Sequence, residues 1–145
     1  MSYEILRMPK SDDTVKEVLF EIGAFLDAMY SKEDEAINGP MRLAMDSFLM
    51  LWDTGGLFLL VKRDTAGQPI LVAMCSQYKD LWSSNIRVEI QRVTMSNELD
   101  EQTEKDSLIK YLKGIASLLK FDQLYYHTYY ADGGVYRDLV WNSKG

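Results

Sequence analysis

The feature that most constrains this chain is a change of hydrophobic period at Gly55-Gly56. Before it, apolar residues recur at helical spacing. In "SDDTVKEVLFEIGAFLDAMY", Val15, Val18, Leu19, Ile22, Leu26 and Met29 fall on one helix face. Ser11 or Asp12 suits its N-cap, with acids in the first turn. Pro40 suits the start of a second helix, carrying Met41, Ala44, Met45, Phe48, Leu51 and Trp52, which the two glycines end. After the glycines the pattern becomes strand-like. "LFLLVKR" and "PILVAMCSQY" are near-continuous apolar runs, which predicts strands buried on both faces. "DTAGQ" joins them, and Gly67 suits a hairpin turn.

The next strand, "NIRVEIQRVTM", changes phase. Ile86, Val88 and Ile90 alternate strictly, whereas Val93 lies three residues beyond Ile90. A β-bulge near Gln91-Arg92 restores the phase; alternatively, the strand is apolar on both sides towards its end. "SYEILRM" reads as a short opening strand. "SLIKYLKGIASLLKF" reads as a helix buried along Leu108, Leu112, Ile115, Ala116 and Leu119. "DQLYYHTYY" reads as a strand of high β-propensity, and "GGVYRDLVW" as a short final helix. The expected fold is therefore α/β, a single domain over residues 1–145. Its order is strand-helix-helix-strand-strand-strand-helix-strand-helix. The strand-helix-strand crossover requires one parallel pair.

Charge narrows the function. The chain has 145 residues and a net charge of −6, which argues against coating nucleic acid or an anionic membrane surface. No apolar run reaches the length of a membrane span. Cys75 is the only cysteine, so no disulfide forms within the chain. The expected location is the cytoplasm, or a virion assembled there.

The order of elements resembles the GCN5-related N-acetyltransferase (GNAT) superfamily. In that fold a strand and two helices precede three antiparallel strands. A bulged fourth strand then leads into the helix that cradles acetyl-CoA, and a fifth strand and a fourth helix follow. The resemblance places the bulge in "IRVEIQRVTM". It makes Glu89 the candidate general base and Tyr136, in the fourth-helix segment, the candidate acid beside the departing thiolate. The backbone of Arg92, Val93 and Thr94 would hold the pantetheine arm of acetyl-CoA. Two departures stand out. The family's Arg/Gln-x-x-Gly-x-Gly/Ala loop is missing between Arg92 and Leu108, a segment without glycine. The sequence also ends where the family's closing hairpin is expected.

That segment, "RVTMSNELDEQTEKDS", carries Glu98, Asp100, Glu101, Glu104 and Asp106, with Lys105 the single cation after Arg92. Carboxylates in a first turn cap the free N–H groups that would otherwise attract an anion. The acids could instead lie on a loop, with the helix beginning near Asp106-Ser107. The first arrangement closes the junction to a pyrophosphate.

His127 is the only histidine, so a zinc or iron site is not expected. Cys75 lies in an apolar strand, where cysteine acts as a small core residue rather than a nucleophile paired with His127. Tyr125, Tyr126, His127, Tyr129 and Tyr130 put aromatic groups on both faces of one strand and are candidates for an interface, with a partner protein or second copy covering an exposed sheet edge. The leading expectation is a non-catalytic GNAT-like interaction module without cofactor, such as a tailed-bacteriophage virion or assembly component. The alternatives are an N-acetyltransferase with an atypical pyrophosphate site, and a small acidic inhibitor of a basic protein.

Overall fold

A computed structural model describes residues 3–7, 13–30, 56–130 and 132–144. The second helix expected after Pro40 and the N-cap expected at Ser11 or Asp12 lie outside the described residues. The elements are β1 (Glu4–Arg7), α1 (Asp13–Met29), β2 (Leu57–Arg63), β3 (Pro69–Lys79), β4 (Ile86–Met95), α2 (Glu101–Gly114), α3 (Ala116–Leu119), β5 (Gln123–Tyr129) and β6 (Val135–Asn142). The strands form a six-stranded sheet in the order β1-β2-β3-β4-β5-β6. The expected α/β class holds, and β4 and β5 are the parallel pair that the crossover demanded. No helix among the described residues is long and apolar enough to cross a membrane.

The chain divides into two compact units, Met1–Met74 with Val93–Ser96, and Cys75–Arg92 with Asn97–Gly145. In the first, β1 runs antiparallel to β2, with Glu4 opposite Val61 and Leu6 opposite Leu59. Ile22 and Leu26 of α1 join Leu6, Leu57, Leu59, Val61 and Val72 in one core, with Phe25 and Met74 packed against it. Phe58 and Leu60, on the alternate face of β2, are equally buried, as the continuous apolar run predicted. Arg63 ties three elements together, bonding Glu21 of α1 at 2.6 Å and lying 3.6 Å from Glu4 of β1. The turn after it is built by Asp64, whose carboxylate accepts from the Ala66 and Gln68 amides. Gly67 closes that turn at φ 83°, a conformation that costs other residues steric strain.

In the second unit β4 and β5 pair from Arg87–Gln123 to Ile90–Tyr126. Val88, Ile90, Leu124 and Tyr126 share one face and are all buried. The α2 helix seats on that face: Lys105 lies 4.6 Å from the Tyr126 ring centre, and Leu108 and Leu112 are fully buried. The helical stripe breaks at Ile115, whose φ of −110° ends α2 before the short α3. Lys120 then turns the chain at φ 62°.

The last element corrects the sequence reading. Residues 135–142 form a strand, not a helix, antiparallel to β5 from Tyr129–Val135 to Gln123–Asn142. β5 and β6 thus form a hairpin where a final helix was expected. The Tyr130 amide donates to the Gly134 carbonyl and the Gly133 amide to the Tyr130 carbonyl, with Gly133 at φ 87°. The strand pattern was masked by a register shift at Leu124/Tyr125: Leu124 faces Trp141 and Tyr125 faces Leu139, so Val140 is the extra residue. Such a shift removes the simple alternation by which a strand is recognised.

Candidate functional site

The β4–β5 pairing ends at Ile90 and Tyr126, while β4 runs on to Met95 and β5 to Tyr129. The Tyr129 hydroxyl donates to the Gln91 carbonyl just past the last pair. Arg92 stands 6.0 Å from the Tyr129 ring centre. Desolvation raises the Tyr129 phenol above its ordinary range, partly opposed by Arg92, so the hydroxyl stays a donor at neutral pH.

Strand alternation places Arg87 and Glu89 of β4 beside Gln123, Tyr125 and His127 of β5, with Arg137 of β6 opposite His127. This face carries a polar cluster, in contrast to the apolar face beneath α2. Glu89 is 5% exposed. Nη1 of Arg137 donates to its Oε1 at 2.8 Å. Nε2 of His127 lies 3.8 Å from its Oε2, is buried, and makes no hydrogen bond. The guanidinium groups of Arg87 and Arg137 lie over the Tyr125 ring, 5.2 and 5.1 Å from its centre. Arg87 is further engaged: its Nε donates to Gln123 at 2.9 Å, and Nη2 is 3.0 Å from Asp80. The Asp80 carboxyl is held below the usual range, chiefly by the Ser83 hydroxyl, with burial acting against it.

At the β4–α2 junction the helix begins at Glu101, so Glu101 and Glu104 occupy its first turn, with Glu98 before it and Asp106 beyond it. Asp100 is the N-cap, and its Oδ2 accepts from the Thr103 amide at 2.9 Å and the Thr103 hydroxyl at 2.6 Å. The chain itself thus occupies one of the donors that a helix N-terminus offers an anion. The two Thr103 bonds, side chain first, lower the Asp100 carboxyl below its ordinary range. A depressed folded-state value stabilises the fold above the ordinary carboxylate range, and that stability is lost as pH falls through the folded value. An Asp100→Ala variant should therefore melt below the parent at neutral pH, with the gap closing in acid. Melting temperature against pH measures this, and a gap unchanged down to acid pH would contradict it.

Of the residues singled out in the sequence, Glu89, Tyr125 and His127 come together. Tyr126 lies on the opposite face, buried beneath α2. Tyr129 and Tyr130 are about half exposed. Tyr136 pairs across from Thr128, one residue out of phase with Arg137 and Glu89. It is 62% exposed and packs edge-on against Tyr130, ring centres 4.9 Å apart. Arg92, Val93 and Thr94 are half-buried residues near the end of β4. Among the described residues β5 is an inner strand and β6 the last one, so the edge expected at β5 falls to β6. Cys75 is fully buried, and burial pushes its thiol far up, so it carries no thiolate at neutral pH. No group of three potential metal ligands occurs among the described residues. Sequence reasoning missed Arg137, because its segment was read as helix. Reading 135–139 as a strand would have put Arg137 in phase with Val135 and Leu139, on the face opposite Tyr136.

The fold is shared by solved acetyltransferases. A GNAT family acetyltransferase from Staphylococcus aureus superposes over 94% of this chain and 93% of its own, with a TM-score of 0.59 and 12% identity. A ribosomal-protein-alanine N-acetyltransferase from Brucella melitensis biovar Abortus 2308 does so over 92% and 86%, at TM-score 0.62 and 11% identity. A GNAT superfamily phosphinothricin acetyltransferase from Sinorhizobium meliloti, solved with acetyl-CoA, matches over 88% and 66%, at TM-score 0.56 and 18% identity. The chain thus has a GNAT-like fold. No protein-family model and no curated protein matches the sequence.

Proposed function

We propose that this protein is an N-acyltransferase that takes an acyl group from a coenzyme A thioester, with Glu89 as the proton acceptor. The observation that carries this reading is the placement of Glu89. A buried carboxylate sits one residue before the last β4–β5 pair, oriented by Arg137 and faced by His127. An acceptor amine approaching Glu89 attacks the thioester carbonyl. The C–N bond forms, the C–S bond breaks, and the proton lost by nitrogen passes to Glu89, directly or through one water. Buried Glu89 is shielded from bulk solvent, and Arg137 fixes its rotamer. The thiolate leaves and takes its proton from solvent. Arg92, near the end of β4, would border the thioester.

The self-capped α2 terminus does not fit a pyrophosphate held in the usual way. This favours a second reading, in which the domain keeps the fold without the chemistry and acts by contact with a protein partner or a second copy. One titration decides between them. Acetyl-CoA at about 100 times its Kd should add about 2.7 kcal/mol of stability. Melting temperature should therefore rise with acetyl-CoA concentration, and thiol release should appear when amines are added. No shift at millimolar acetyl-CoA would remove the enzyme reading in favour of the second.

A further inference from the structure

Arg137 makes only part of the interactions its chemistry allows. Nη1 donates to Glu89, and the guanidinium plane lies over Tyr125. Among the described residues, Nε and Nη2 have no other partner. The side chain is 47% exposed, whereas the carboxylate it holds is 7% exposed. Arg87 is the informative contrast. It lies over the same ring at nearly the same distance, yet its Nε and Nη2 are taken by Gln123 and Asp80, and it is 20% exposed. One guanidinium is thus closed into the fold while the other turns an unused N–H edge outward. The strand bearing Arg137 is the last in the sheet order among the described residues. Val135 and Tyr129, paired across the same face, are each about half exposed and give the approach an apolar border.

A guanidinium pairs with a carboxylate through two parallel N–H donors on one edge. Here the free edge belongs to the group whose other end orients Glu89. We infer that the acceptor amine carries a carboxylate close to it, as a free amino acid does, and that Arg137 binds this carboxylate through Nε and Nη2. The reading rests on the acyl-transfer function proposed above. Binding the carboxylate at Arg137 brings the neighbouring amine towards Glu89, so a single side chain sets both the base and the acceptor. An amine lacking the carboxylate loses that anchor and should suffer mainly in KM.

The test compares free amino acids with the corresponding amino acid amides. Calorimetric titration of the full chain, which needs no turnover, should show the acids binding at least about tenfold more tightly than the amides, the order of one charge-assisted hydrogen bond. With acetyl-CoA present, initial-rate thiol release should show the same preference in kcat/KM. Arg137→Lys keeps a cation beside Glu89 but loses the fork, so it should raise KM for acids about tenfold more than KM for amides and abolish the acid-over-amide preference in binding. Circular dichroism would verify that this variant is folded. Equal binding of acids and amides by the parent overturns the inference, as does a preference that survives in Arg137→Lys. Turnover of amides as good as that of acids would remove the carboxylate subsite while leaving acyl transfer standing. Acids that bind with the stated preference, without turnover, would support the subsite and count against the transferase reading.

Discussion

Exchange of Glu89 for glutamine is expected to lower amine acylation by roughly two to four orders of magnitude, the range that a positioned general base contributes. The substitution keeps the side chain's shape and leaves a carbonyl oxygen to accept from Arg137, but it removes the group that takes the proton. KM for acetyl-CoA should hardly move, because no part of the thioester is assigned to Glu89. Stability should change little: Arg137, the cation left behind, is 47% exposed and remains solvated. His127→Gln should cost less than Glu89→Gln, since Nε2 stands 3.8 Å from the carboxylate and makes no hydrogen bond to it. Steady-state rates with matched melting curves separate these effects. A Glu89→Gln enzyme with the parent's rate would exclude Glu89 as the base.

Glu89 was legible in the sequence because strict alternation through Ile86, Val88 and Ile90 placed a lone carboxylate out of phase with an apolar face. Burial then gave that position its meaning, which alternation alone could not do: an out-of-phase residue on a strand can equally face solvent. The α2 boundary was only partly legible. The helix was read from Ser107, with acids in its first turn as one of two arrangements; it begins six residues earlier, at Glu101, because Asp100 caps Thr103. What escaped was long-range. The carboxylate of Glu89 is oriented by a residue 48 positions away, and no local period encodes that pairing. The register shift that leaves Val140 extra hid the very strand that carries Arg137. Tyr136 was chosen by resemblance to a helical segment; on a strand, its neighbour Arg137 shares the Glu89 face while Tyr136 lies on the other. The tyrosine-rich stretch was read as one surface. Pairing with β4 and β6 divides it, with Tyr125 and His127 beside Glu89 and Tyr126 beneath α2.

The largest effect on stability is expected at Leu112. It is fully buried on α2, one turn beyond Leu108, which is also fully buried. The face they cover holds Val88, Ile90 and Leu124, each with no exposed surface. A helix of this length gains little from propensity alone, so its docking depends on such residues. Leu112→Ala removes apolar contacts and leaves a cavity that the surrounding strands can only partly close. That costs about 2–5 kcal/mol. Domains of this size are stable by only about 5–15 kcal/mol, so the loss is a large fraction of the total. A 3 kcal/mol loss should lower Tm by on the order of 10 °C. Leu118→Ala is the matched control. Leu118 is 72% exposed on α3, and its truncation should stay within about 0.5 kcal/mol. Urea unfolding of the two variants beside the parent gives both values. Equal destabilisation by Leu112→Ala and Leu118→Ala would mean that α2 does not bury the face that Leu108 and Leu112 define. The same loss should weaken the site only indirectly, because α2 supports the apolar side of β4 and β5 while Glu89 and Arg137 occupy the other. Near the parent's temperature optimum, a folded Leu112→Ala protein should keep its KM values and lose activity only in proportion to the unfolded fraction.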